Sequence, residues 1–136
     1  MSSYADAGAL AKRLRAANPR LSQERADFLA ARVSRTKADG RIEMACDPWH
    51  KVAAPMPYHI EDAMAGWRRI VCPTLLLIAD QGYVQQRFGD DKDELQRRLA
   101  CFATAQVERI AGSGHNLQHD QPQRVAAALE AFLLPD

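Results

Sequence analysis

Pro73-Thr74-Leu75-Leu76-Leu77-Ile78-Ala79 is the stretch whose reading decides the fold class. It is apolar at consecutive positions and lacks the polar alternation of a half-exposed strand. Neighbouring strand residues point to opposite faces, so a strand of this kind needs cover on both. That is the environment of a parallel sheet sandwiched by helices. Pro73 both closes the preceding element and opens the strand. The apolar part, Leu75 to Ala79, falls far short of the roughly 20 residues that cross a bilayer.

Working outward toward the C-terminus, Asp91 and Glu94 have the spacing of a capping box for a helix carrying Leu95, Leu99 and Phe102. Asp90-Asp91-Lys92-Asp93 reads as a solvated helix start favoured by the macrodipole. Val107 and Ile110 lie in a second, weaker strand ending at Gly112. Asp120-Gln121-Pro122 opens a last helix, where proline near the N-terminus is tolerated, with Val125, Leu129, Phe132 and Leu133 as its buried stripe. The order strand, helix, strand, helix predicts the α/β class, with a parallel sheet and right-handed crossovers. Two strands are few, because sheets commonly have about 4–6.

Toward the N-terminus the pattern is different. Residues 5–17 have helical spacing at Leu10, Leu14 and Ala17, and Asn18-Pro19 ends that helix. Ser22 is the expected N-cap of a second helix with Ala26, Leu29, Ala30 and Val33 on its inner stripe. Asp39-Gly40 marks a turn, and Arg41 to Cys46 alternates as a short strand would. The prolines of Asp47-Pro48-Trp49-His50 and Pro55-Met56-Pro57 rule out regular structure, with Asp47 and His50 expected to cap or hydrogen-bond it. Helical spacing returns at Ile60, Ala63, Met64 and Trp67. Trp49, Met56, Met64 and Trp67 are expected in the core.

Composition sets limits on function. The 136 residues suit one domain, with 47% apolar and 26% charged residues, the balance of a soluble globular chain. Lys+Arg (18) nearly cancel Asp+Glu (17) and are spread along the chain, so no nucleic-acid partner is expected. Cys46, Cys72 and Cys101 form no Cys-x-x-Cys pair, which suggests neither a zinc ribbon nor a disulfide framework. With no basic segment leading into an apolar run after Met1, no signal peptide and no membrane association are expected, and the cytoplasm is the expected location.

Chemistry on open α/β sheets gathers at the carboxyl ends of the strands. Two loops meet that condition: Asp80-Gln81-Gly82-Tyr83 and Gly112-Ser113-Gly114-His115-Asn116. A carboxylate and a histidine so placed form the base half of a nucleophilic triad, the histidine taking the nucleophile's proton and the carboxylate fixing its tautomer. The catalytic candidates are therefore His115 and Asp80. His115 and His119 are also spaced i, i+4, but a metal pair at that spacing needs a helix, and this stretch precedes the helix. No metal and no cofactor are expected.

These residues resemble the α/β-hydrolase family. Ile70-x-x-Pro73-Thr74-Leu75-Leu76-Leu77 is similar to its penultimate core strand. Gly112-Ser113-Gly114-His115-Asn116-Leu117, followed by Asp120-Gln121-Pro122 and by Val125-Ala126 through Phe132-Leu133, is similar to its last strand, histidine loop and final helix. The likeness spans residues 67–134 and extends more weakly over 5–60. It implies a helical lid-like region at 1–66 and the C-terminal strand-helix-strand-helix part of the core at 67–136. Asp47-Pro48 and Trp67-x-x-Ile70 resemble esterase-like and serine-hydrolase-like members. The implied activity is hydrolysis of an ester, amide or similar carbonyl-type bond of a small-molecule substrate.

Two positions depart from the family pattern. None of Ser2, Ser3, Ser22, Ser34 and Ser113 sits in a Gly-x-Ser-x-Gly elbow, so the chain looks like the C-terminal half of a longer hydrolase, inactive without its nucleophile. The family's acid falls at the position of Gly82, leaving either Asp80, through a loop shift, or an acid after an earlier strand. A truncated, non-catalytic remnant or interaction module is the alternative. With few partner strands, the chain is expected either to self-associate or to bind a complementing N-terminal half.

Overall fold

The computed structural model describes residues 3–53, 55–89 and 91–134, and the chain divides into two compact units, Met1–Met56 and Pro57–Asp136. This boundary falls before the 66/67 division read from the sequence, and the helix containing Trp67 belongs to the second unit. Ala54, Asp90 and the terminal residues lie outside the described residues, and so does the Asp90 part of the acidic helix start.

In the first unit, α1 (Ala7–Ala17) is capped by Asp6, whose Oδ1 accepts from the Ala9 amide at 2.7 Å. The second helix, α2 (Gln23–Arg32), is capped by the expected Ser22, whose Oγ accepts from the Arg25 amide. Leu10, Ala11, Leu21, Ala26 and Ala30 form the buried cluster between them. Three of the five are alanines, which lets the two helix backbones pack closely. The cluster is closed by residues of a small antiparallel sheet ordered β1-β3-β2, comprising β1 (Ser3–Tyr4), β2 (Ser34–Thr36) and β3 (Ile42–Met44). Of these strands the sequence announces only β3. Gly40 supplies the turn between β2 and β3 with φ at +79°, a backbone region that favours glycine.

A 3₁₀ turn at Pro48–Lys51 follows, with Asp47 Oδ1 accepting from the Trp49 amide and His50 Nδ1 lying 2.8 Å from the Asp47 carbonyl oxygen. Both polar residues therefore do the local work expected of them. Trp49 and Met56 do not join a core: they are 76% and 78% exposed, because the proline-rich stretch offers no regular face to bury them.

The second unit begins with α3 (Ile60–Trp67), which buries Met64 and stacks Trp67 on Phe102 at 5.5 Å between ring centroids. Strand β4 (Thr74–Ala79) pairs in parallel with β5 (Ala105–Ile110), in a register that sets Thr74 against Ala105 and Ala79 against Ile110. Between them lie α4 (Tyr83–Phe88) and α5 (Lys92–Leu99); after them come α6 (Leu117–Asp120) and α7 (Pro122–Leu133), with Pro122 in the first turn as the sequence requires. Ile78 and Ala79 are buried, whereas Thr74 to Leu77 are only half-buried. β5 is the one sheet neighbour of β4 among the described residues.

At α5 one half of the expected capping box forms. Asp91 Oδ1 accepts from the Glu94 amide, but the Glu94 carboxylate turns forward to Arg97 and Arg98, at 2.6 and 2.7 Å. Those guanidiniums, through their hydrogen bonds, hold the Glu94 carboxyl at about 2, below its ordinary 4.5. A carboxyl whose pKa is lower folded than unfolded stabilises the fold above its unfolded pKa, and the contribution disappears as pH falls through the folded value. A ¹³C titration of Glu94 is expected to show a midpoint near 2. A midpoint above 4 would mean that the two arginines do not hold it in solution.

Candidate functional site

The in-register parallel pair brings the carboxyl ends of β4 and β5 side by side, so the loops that leave Ala79 and Ile110 emerge together. Backbone bonds tie them: the Asp80 amide donates to the Ile110 carbonyl, and the Gln81 amide to the Ser113 carbonyl at 3.0 Å. The Asp80 carboxylate spans the gap, Oδ2 accepting from the Gly112 amide at 2.9 Å and Oδ1 from the Ser113 amide at 3.0 Å. The structure thus brings the two sequence candidates to one place, with Asp80 bonded to the backbone of the histidine loop. No hydrogen bond joins the His115 ring to Asp80 or to another described residue.

The histidine loop is held at almost every residue. Gly112 takes φ at +72°, where a side chain would be strained. Its carbonyl accepts from Gln121 Nε2, and the Ala111 carbonyl accepts from Arg124 Nη1. Ser113 is fully buried, and its hydroxyl donates to the Ile110 carbonyl. The Gly114 amide donates to Asp120 Oδ2 at 2.7 Å, and Asp120 is only 3% exposed. After this series of anchored residues, His115 itself is exposed.

His115 borders a cavity of about 220 Å³ whose other walls include Leu77, Ala79, Gly82, Val84 and Leu117. The lining is chiefly aliphatic, and the imidazole is its one basic side chain, which is how a small-molecule site places a few polar groups in an apolar cleft. Gly82 is packed tightly: a Cβ added there would lie 2.8 Å from the Ala79 Cβ and 3.5 Å from the Gly114 carbonyl carbon.

Two parts of this arrangement are not legible in the sequence as site residues. Asp120 reads there only as a helix opener, although its place five residues past His115 allows a carboxylate to turn back onto the loop. Val84 belongs to α4, which has no side-chain cap to announce it. His119 lies in α6 and His115 precedes it, and among the described residues no group of three or more metal-ligating side chains occurs. No helix among them is long and apolar enough to cross a membrane.

A family description, the alpha/beta hydrolase family, matches residues 2–128, and the chain belongs to that family. Solved structures share the fold. One is E-2-(acetamidomethylene)succinate hydrolase, with a TM-score of 0.74 and 13% identity over 97% of this chain and 47% of that one. A thioesterase domain from the curacin biosynthetic pathway has a TM-score of 0.70 and 25% identity over 99% of this chain and 45% of that one. An esterase of Mycobacterium tuberculosis has a TM-score of 0.73 and 19% identity over 97% of this chain and 42% of that one. The chain therefore spans less than half the length of each of these structures. No curated protein matches it by sequence.

Proposed function

We propose that this chain supplies the histidine half of an α/β-hydrolase site that cleaves an ester, amide or similar carbonyl-type bond of a small molecule by a Ser-His-acid type mechanism. The observation that carries the reading is the exposed His115 imidazole, presented over an apolar cavity at the carboxyl end of β5 by a loop anchored at every preceding residue. In that role His115 accepts the proton of the attacking hydroxyl and then returns it to the leaving group.

The nucleophile and oxyanion donors belong, in this reading, to a segment outside residues 1–136. Ser113 is next to the histidine loop's glycine but buried, with its hydroxyl committed to a carbonyl. Cys101 is buried, and Cys72 precedes β4, at the other end of a strand roughly 20 Å long. The chemistry calls for no metal and no cofactor, because a positioned base, a nucleophile and hydrogen-bond donors supply it.

The isolated chain is accordingly expected to hydrolyse simple aryl esters no faster than buffer, and His115→Ala is expected to change nothing. A base without a nucleophile lowers little of the barrier. Turnover well above buffer that disappears in His115→Ala would place a nucleophile inside the chain and overturn this division of labour.

A second reading, a non-catalytic interaction module keeping the family's tail, is favoured by one observation: the Asp80 carboxylate serves the loop backbone, and no described carboxylate orients the His115 ring. Both readings call for a partner at the sheet. Leu75, Leu76 and Leu77 are half-buried, and Val107, Leu129 and Leu133 are exposed. An apolar strand with one bonded neighbour is a template for further pairing. Sedimentation at micromolar concentration is expected to show dimers or larger species; a monomer with a single cooperative melt would show that the chain satisfies its own sheet.

A further inference from the structure

We propose that Asp120 is a positioning residue for His115, acting with Asp80 as a two-carboxylate clamp on the loop. The inference rests on the reading of His115 as the base. Three successive peptide N–H groups, those of Gly112, Ser113 and Gly114, all donate to carboxylates: the first two to Asp80 and the third to Asp120. Asp120 is the member nearest the histidine, bonded to the amide of the residue immediately before it. A carboxylate accepting a backbone N–H makes a charge-assisted bond, roughly twice as strong as a neutral one.

Burial makes this bond a commitment. Asp120 is 3% exposed, and an ionised carboxylate so placed is tolerable only where donors or fields compensate it. The Gly114 amide is one such donor. The N-terminus of α7, twelve residues long and starting at Pro122, is a favourable field for an anion. Gly114 itself has the freest backbone of any residue type, so without the clamp the peptide leading into His115 would sample many directions. Asp120 thus ties the direction of the His115 side chain to the start of α7, while Asp80 ties the same loop to the end of β4.

The test uses the 136-residue chain and NMR, without reference to activity. In Asp120→Asn the side-chain amide can still bond Gly114, but without charge. The Gly114 amide proton is expected to move upfield and to exchange with water on the order of tenfold faster, the difference between a charge-assisted and a neutral bond. In Asp120→Ala the resonances of the His115 ring are expected to shift, while amides of β4 and α3 keep their protection. Asp120→Glu, which keeps the charge, is expected to recover part of the Gly114 shift. If Asp120→Ala does not fold, Asp120→Asn and Asp120→Glu decide the matter. An unchanged Gly114 amide in Asp120→Asn, or unshifted His115 ring resonances in a folded Asp120→Ala, would overturn the proposal. Failure of the base assignment would show instead, in the chain combined with the nucleophile-bearing half of a hydrolase, as turnover that does not depend on His115, with these NMR signatures intact.

Discussion

When the chain is combined with the nucleophile-bearing half of an α/β-hydrolase, ester hydrolysis is expected to appear and to fall on the order of 10⁶-fold in kcat when His115 becomes alanine. The size follows from how a triad works. The base, nucleophile and oxyanion donors act as one unit, so removing the base alone forfeits nearly all that the unit contributes. KM is expected to change little, since the cavity wall formed by Leu77, Val84 and Leu117 remains. Buffer imidazole offers a control: partial recovery of turnover in His115→Ala would show that the missing group is the ring itself. A loss of only a few-fold would put the base elsewhere and leave His115 as an exposed loop residue.

The likeness in the structure to longer hydrolases gives this experiment its form. The chain covers 42–47% of each of three solved hydrolases and esterases and is matched along nearly all its own length. What those proteins act on is not transferred to this chain. What carries over is the fold; the placement of the Gly112–His115 loop beside the end of β4 is seen in this chain's own bonds between Asp80 and the Gly112-Ser113 peptide.

How much of this can be read from residues alone depends on whether the signal is local. The β4 run is legible because consecutive aliphatics mark a strand with two apolar faces, although in this chain only Ile78 and Ala79 are buried. Pro122 and Ser22 are legible because helix starts are chosen by one residue's own backbone and side chain. Strands β1 and β2 are not legible, since segments of two and three residues become strands only by pairing with β3. Helix α4 escapes for lack of a cap: it follows Gly82, with no side chain to satisfy its first amides. The second half of the Asp91–Glu94 box fails for a different reason. Arg97 and Arg98 lie one turn ahead and offer Glu94 a charged partner in place of an amide. At the site, Gly112, Gly114 and His115 are visible as a motif, but the clamp by Asp120 is a contact between a helix end and a loop, and no spacing rule specifies it.

The clearest joint test of fold and site concerns Ala79 and Gly82. By the resemblance, the family's acid falls at the position of Gly82, where this chain has a glycine. The structure couples that position sterically to Ala79. A Cβ on residue 82 would sit 2.8 Å from the Ala79 Cβ, closer than real side chains come, and the Ala79 Cβ can yield only by moving the backbone of β4. Gly82→Asp is therefore expected to destabilise the protein by about 1–3 kcal/mol through overpacking, lowering Tm on the order of 10 °C. Ala79→Gly alone is expected to cost about 1 kcal/mol, from the loss of a buried methyl group and the added backbone freedom. In the double variant the clash is gone, so the cost of Gly82→Asp is expected to shrink by about 1 kcal/mol or more relative to its cost beside Ala79. Relieved of that clash, the introduced carboxylate would stand beside the Gly114 peptide, one residue from His115. In the double variant, slowed exchange of a His115 ring N–H would then register a new hydrogen bond. Equal costs for Gly82→Asp in the Ala79 and Ala79→Gly backgrounds would show that the two positions are independent, and that Gly82 is held by something other than its neighbour on β4.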